Sequence, residues 1–439
     1  MAATAVVLAA DYNHGMKSSR TGPLHMIAGR PMLQHLLATC EKVFSRIVVV
    51  VGVDMQAVSD AALPHGSVIQ HEGLGPAHAA LQAEALFGDG DVAVLFADTP
   101  LIRPDTLRRL LDCFSVKDVG LSLLAVRPAD PQRHGRVVER DGFVDRIEAP
   151  EQATAPEPRD NLCYAGVLCA GAARMRGWLS RARDRSTRRE LFLGEVVALA
   201  RAEGLRVAAV EAPEADLRPV NSRADLAVAE ASVQDRLRTA AMEAGVTMTA
   251  PATVFLCTDT HLEADVIIEP HVVFGPGVTV ERDVEIRAFS HLEGCTVRRG
   301  ATIGPFARLR SGTDVGAGAR VGNFVEIKAT TMGEGAAANH LAFLGDCSIG
   351  AGSNVGAGTI TCNYDGFTKH HTTIGDNVFL GSDSILVAPV TIGDRAMVTA
   401  GSVITEDVMP DAMAFGRARQ EQKAGRAAAF RISRKKESR

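Results

Sequence analysis

A beat of six residues constrains the second half of this chain more than any other feature. Ile303, Leu309, Val315, Val321 and Ile327 follow one another at intervals of six. The beat returns at Ile349 and Val355, and again through Ile374, Leu380, Leu386, Ile392, Val398 and Ile404. Glycine directly follows at Gly304, Gly316, Gly322, Gly350, Gly356, Gly375, Gly381 and Gly393. Neither a helix repeat of about 3.6 nor a strand alternation of about 2 produces this spacing. It predicts a β-helix of hexapeptide repeats, each aliphatic side chain pointing into a prism and a small residue taking the tight corner beside it.

With 439 residues the chain calls for more than one domain. Its first half reads differently, as α/β. Val6–Ala10, Ile47–Val53 and Val92–Ala97 are short apolar runs of buried-strand type, and Met32–Cys40 has a helical pattern. Alternation of this kind predicts a mostly parallel sheet, with ligands at the carboxyl ends of its strands, where Asp11 and Asp98 fall. Between the two regimes, Arg223 to Ala244 is Ala-rich, charged and free of Gly and Pro, a connecting helix. The expected layout is residues 1–222 as an α/β domain, 223–248 as connector, 249–416 as a left-handed parallel β-helix and 417–439 as a basic tail.

The net charge of −5 gives no reason to invoke nucleic acid or a membrane surface. No stretch is apolar enough to span a bilayer, and the N-terminus has no basic segment ahead of its apolar run. None of the eight Cys forms a C-x-x-C pair, so a cytoplasmic protein with reduced thiols is expected.

Regular hexads have little need of polar chemistry, so binding residues are expected where the beat lapses: Lys328–Asp346, and the polar run TCNYDGFTKHHTT at Thr361–Thr373. The blocks around these lapses are IGPFARLRSG (Ile303–Gly312), VGNFVEIK (Val321–Lys328), NHLAFLGD (Asn339–Asp346) and NVGAGTITCNYDG (Asn354–Gly366). In them the chain resembles the bacterial family of bifunctional N-acetylglucosamine-1-phosphate uridyltransferases / glucosamine-1-phosphate acetyltransferases. The resemblance implies acetyl transfer from acetyl-CoA to glucosamine 1-phosphate, within UDP-N-acetylglucosamine, peptidoglycan and lipopolysaccharide synthesis, by a homotrimer. It implies that His340 is the general base and Glu326 the carboxylate that orients it. It implies that Arg310, Lys328 and Lys369 hold the sugar phosphate, that Asn354 touches the sugar, and that Ala357, Asn363, Tyr364, Ser382, Ala400 and Arg417 border acetyl-CoA. An imidazole suits proton abstraction near neutral pH, and a dianionic phosphate calls for charged donors. Phe343 departs from the family, which carries Tyr there. The lost hydrogen bond to a charged group is worth about 1.5–3 kcal/mol.

The first half resembles the same family, which implies a nucleotidyltransferase-like domain over residues 1–222, but less well at its chemical positions. The family reads L-A-A-G-x-G-T-R-M with a later Lys. Here Leu8, Ala9, Ala10 and Met16 are kept, whereas Asp11, Asn13, His14, Gly15 and Gly22 replace Gly, Gly, Thr, Arg and Lys. Backbone N–H groups of a glycine loop, with Arg and Lys, are what grip a triphosphate. Lys17 and Arg20 are the remaining nearby cations. The resemblance implies that Asp98 and Asn221 hold Mg²⁺, that Gln70 and Gly75 meet the uracil end and Gly135 the sugar end. Pro76, Ala149 and Tyr164 replace the family's Thr, Glu and Asn. The expectation is a working acetyltransferase with weak or lost uridyltransferase activity. Three alternatives stay open: both activities retained, with Lys17 or Arg20 serving UTP; a first half that only binds sugar nucleotide or serves as scaffold; and a different amino-sugar acceptor.

Overall fold

In a computed structural model, residues 3–11, 14–131, 134–148, 161–185 and 192–437 are described. Two compact units emerge, Met1–Leu237 and Arg238–Arg439. The division falls inside the helix Arg223–Glu243.

The first unit is built on a nine-stranded sheet. Its strands are β1 (Ala3–Leu8), β2 (Arg46–Gly52), β3 (Gly66–Gln70), β4 (Asp91–Phe96), β5 (Val119–Val126), the hairpin β6–β7 (Arg136–Arg140, Phe143–Glu148), β8 (Cys163–Gly171) and β9 (Arg206–Glu211). The main path runs β9-β5-β8-β4-β1-β2-β3, all parallel neighbours except β8, which is antiparallel to β4 and β5. Apolar side chains cover both faces. Val6, Val48 and Val94 join one core, while Ala5, Val49 and Leu95 join the other. Burial on both faces is why these strands read as unbroken apolar runs. β1 and β4 are in register up to Leu8 and Phe96, so Asp11 and Asp98 leave the sheet at the same edge.

The second unit is a left-handed parallel β-helix of three sheets, with ten, eight and eight strands. Inward residues stack from coil to coil: Ile286, Ile303, Val321, Ala338, Val355, Leu380 and Val398 on one sheet, all buried. The expected break at Lys328–Asp346 is not a loop. Ile327, Met332, Ala338, Leu344 and Ile349 continue the prism. Two of those steps are five residues long, and Met and Ala stand in for branched aliphatics, so the beat slips without the coil opening. The second lapse is an insertion. The rung from Val355 to Leu380 spans 25 residues (355 to 380), against 18 from Leu380 to Val398 (380 to 398).

Of the glycines after the aliphatic positions only Gly304 has a left-handed backbone, with φ 92°; the others are required by close approach to the next coil. A Cβ on Gly322 would overlap the carbonyl oxygen of Asn339 on the next coil, and one on Gly356 would lie 2.6 Å from Leu380 O. Left-handed backbone is instead taken by bulky residues on one corner: His271, Phe289, Phe306, Phe324 and Leu341 have φ of 60°, 59°, 55°, 57° and 48°. The first four stack ring on ring, 4.8, 4.9 and 5.2 Å apart. The three Phe and Leu341 are exposed.

None of the eight cysteines is in a disulfide. Among the described residues no helix is long and apolar enough to cross a membrane.

Candidate active sites

On the β-helix, parallel register places outward side chains from successive coils side by side. Asn323 is opposite His340, Glu326 opposite Phe343, and Lys328 opposite Gly345. His340 is exposed, and its Nδ1 lies 2.7 Å from Asn323 Oδ1. An amide oxygen accepts, so Nδ1 carries the proton and Nε2 keeps its lone pair. Arg310 Nη1 donates to Glu326 Oε1 at 2.9 Å. Glu326 thus has Arg310 for its bonded partner, and Asn323 holds the imidazole. Sequence reasoning did not single out Asn323, although it lies in VGNFVEIK at the register position of His340.

Lys328 sits among cations. The neighbouring Lys369 ammonium holds it below the usual lysine range, and Arg310 adds to the effect, with Asp346 opposing. Positive groups arranged this way favour an anion between them. Phe343 is half-buried, and its ring edge overhangs Gly345: a Cβ on Gly345 would meet Phe343 Cζ at 2.9 Å and Asn363 Nδ2 at 3.0 Å. Asn363 Nδ2 donates to Asp346 Oδ2, and the Tyr364 hydroxyl to Gly366 O at 2.6 Å. Asn354 pairs with Ala337 and Phe379 on adjacent coils. Ala357 O accepts from Asp383 N at 2.7 Å, and Ser382 O from Gly401 N at 2.8 Å. Ala357, Ser382 and Ala400 therefore follow one corner up the prism. Arg417 packs its Cδ over Gly401 and is exposed.

In the first unit, the strand ends open into a cavity of about 350 Å³. Leu8, Ala9, Ala10 and Asp11 form one wall, Gln70 and Gly75 another, and Asp98 and Asn221 the floor. Gly75 has φ 91°, which suits glycine, and Gln70 Nε2 reaches Gly75 O at 3.4 Å. Burial, and then the Asp11 carboxylate, push Asp98 up to about 6, opposed by a hydrogen bond from Asn221. Carboxylate and amide oxygens are the hard donors Mg²⁺ prefers, so Asp98, Asn221 and Asp11 fit that ion. No Lys or Arg is among the described residues lining this cavity, neither Lys17 nor Arg20, and Gly22 lines it where a family Lys stood. A second cavity, of about 470 Å³, shares Asp98 and Asn221 and is lined by Gly135, Gly166 and Tyr164. The Tyr164 hydroxyl is buried with no hydrogen-bond partner, and burial raises its pKa well above the usual range. It offers no polar group to that cavity. Asn13 and Ala149 lie outside the described residues, as does the His14 side chain.

Comparison with known proteins agrees with both halves. Residues 5–137 match the family described as a MobA-like NTP transferase domain, and residues 371–406 match the hexapeptide repeat of succinyl-transferase. The chain is similar to the bifunctional protein GlmU of Gluconacetobacter diazotrophicus, with 59% identity covering 99% of this chain and 96% of that one. It is 57% identical to the bifunctional protein GlmU of Acidiphilium cryptum, covering 99% of both chains. It is 55% identical to that of Granulibacter bethesdensis, covering 98% of this chain and 96% of the relative. A nucleotidyltransferase-type unit joined to a hexapeptide β-helix is a two-part transferase. The chain belongs to the bifunctional GlmU family.

Proposed function

We propose that the β-helix unit transfers the acetyl group of acetyl-CoA to the amine of glucosamine 1-phosphate. The observation that carries this reading is the grouping of Arg310, Lys328 and Lys369, with Lys328 five residues after Asn323, the partner of His340, on the same coil. The cations take the phosphate and so fix the sugar. Asn323 holds the proton on Nδ1, so Nε2 of His340 removes a proton from the amine as its nitrogen attacks the thioester carbonyl. The tetrahedral intermediate then expels the CoA sulfur, which receives the proton from the imidazolium. Glu326 fixes the Arg310 fork at 2.9 Å for the phosphate. Asn354 meets the sugar. Asn363, Tyr364, Ala357, Ser382, Ala400 and Arg417 border acetyl-CoA.

The working form is a homotrimer in the cytoplasm. The exposed stripe Phe289, Phe306, Phe324 and Leu341 supports this, because it ends beside His340. A neighbouring copy packed on the stripe would border the site.

For the first unit we infer weak or lost uridyl transfer. Asp98 and Asn221, with Asp11, would hold Mg²⁺, which supplies charge neutralisation at phosphate oxygens. Gln70 and Gly75 fit the base end and Gly135 the sugar end. Among the described residues no Lys or Arg lines the cavity to meet a triphosphate, and Asp11 adds a like charge. At about 4 Å and an effective dielectric near 20, one such repulsion is of order 4 kcal/mol. The second reading keeps both activities for UDP-N-acetylglucosamine synthesis. Full-length identity of 59% to a protein named bifunctional favours it. Assaying the two half-reactions separately on purified protein decides between them: acetyl transfer without pyrophosphate release supports the first reading.

A further inference from the structure

The insertion between the strands Ile360–Cys362 and Thr372–Ile374 has no apolar core of its own. Phe367 at its tip is 92% exposed. Polar bonds hold it, and four of them converge on one carboxylate. Asp365 Oδ1 accepts from the backbone N–H of Phe367 at 2.8 Å and of Thr368 at 2.7 Å. Its Oδ2 accepts from the Thr368 hydroxyl at 3.1 Å and from His370 Nε2 at 2.7 Å. Tyr364 and Lys369 pair antiparallel across the resulting hairpin, and His370 N donates to Asn363 O at 2.8 Å. The base of the hairpin is tied down as well: Asn363 donates to Asp346, whose own N–H donates to Lys328 O at 3.0 Å. Lys369 is thus delivered by a closed loop onto the coil that carries Lys328.

That placement is electrostatically unfavourable by itself. Two ammonium groups held together repel, and an unclosed loop would let Lys369 swing into water. Binding would then have to bring it back at a cost in conformational entropy. We propose that Asp365 is a positioning residue for the acceptor phosphate: by closing the hairpin it holds Lys369 against Lys328 before the substrate arrives. The proposal rests on the acceptor site described above. The depressed pKa of Asp365, caused first by His370 and then by the Thr368 and Phe367 N–H groups, keeps the carboxylate ionised across the physiological range. Asparagine in its place has one acceptor oxygen instead of two, and its amine end repels Nε2–H or the N–H pair.

The test uses full-length protein, with glucosamine 1-phosphate and unphosphorylated glucosamine as alternative acceptors. In Asp365→Asn, KM for glucosamine 1-phosphate should rise about tenfold, the equivalent of one lost charged contact. Its kcat, KM for acetyl-CoA and kcat/KM for unphosphorylated glucosamine should stay at wild-type values. Lys369→Ala should raise the same KM, and the double variant should be no worse than Lys369→Ala alone, because both changes remove one interaction. Equal losses on both acceptors would show that Asp365 only maintains the fold, and overturn the proposal. So would an unchanged KM in Asp365→Asn while Lys369→Ala raises it. If Lys369→Ala leaves KM for the phosphorylated acceptor unmoved, the acceptor site is misplaced and the proposal falls with it.

Discussion

Asn323 Oδ1 stands 2.7 Å from His340 Nδ1, one coil away on the same sheet. A neutral amide in that place fixes the tautomer without stabilising the imidazolium as a carboxylate would. His340→Ala should lower kcat by about 10²–10⁴, the usual range for a lost general base. Asn323→Asp should move the acid limb of the kcat–pH profile upward, since the added charge favours protonated His340. Rates would fall at neutral pH and recover in alkali. An unshifted limb in a folded variant would remove Asn323 from this role.

Phe343→Tyr adds a hydroxyl at the ring edge that overhangs Gly345, near Asn363 and across from Glu326. KM for glucosamine 1-phosphate should fall by roughly one decade, the value of a charged hydrogen bond. KM for acetyl-CoA should stay put. A KM for the sugar phosphate that does not fall would show that this edge faces away from the phosphate.

Asp98 carries a pH signature. Its folded pKa of about 6 lies above the ordinary value of 3.8. The native state therefore binds the extra proton, and stability contributed by this group is lost as pH rises from about 4 through 6. Relieving the repulsion with Asp11→Asn should raise the melting temperature of the first unit at pH 7 and leave it unchanged at pH 4. Mg²⁺ should stabilise the wild type at pH 7 as well. Calorimetry at the two pH values checks both expectations, and a variant gain of equal size at pH 4 would contradict the assigned cause.

Much of this molecule could be read from its residues, and the remainder was hidden for definite reasons. The prism follows from Ile303 to Ile404 because its inward positions are mainly apolar, with Thr361, in register with Leu386, a buried polar exception. Its continuity through Met332 and Ala338 was concealed, because a five-residue step in each of two successive coils looks like a break in a six-residue count. The corner glycines stood out, but their cause did not: Gly322 is excluded from carrying a side chain by Asn339, seventeen positions on (322 to 339). The roles proposed for His340 and the three cations come from the resemblance. Asn323 was not, since pairing across a coil depends on register, which the first-half and second-half patterns do not spell out residue by residue. Likewise Asp365 reads as a turn residue until His370 is seen to close on it.

If the first unit has lost its phosphate grip, as proposed, restoring the replaced charges should rebuild it. Asp11→Gly, Gly15→Arg and Gly22→Lys together remove one negative charge and add two positive ones at the mouth of the 350 Å³ cavity. UTP affinity should rise by at least tenfold, a small fraction of the several kcal/mol that such charges exchange at close range. Calorimetric titration with UTP and Mg²⁺ reads this directly, and no gain in affinity would place the lost cations outside the nucleotide's reach.

The most direct measurement follows both half-reactions in one preparation of the full chain. Free CoA thiol is recorded with acetyl-CoA and glucosamine 1-phosphate, and pyrophosphate with UTP, Mg²⁺ and N-acetylglucosamine 1-phosphate. The account predicts thiol release at ordinary enzymatic rates, about 1–10³ s⁻¹, abolished in His340→Ala, with pyrophosphate release near background. Thiol release that is absent, or that survives in His340→Ala, would contradict the acetyl-transfer site, and pyrophosphate turnover at comparable rates would contradict the loss of the phosphate grip.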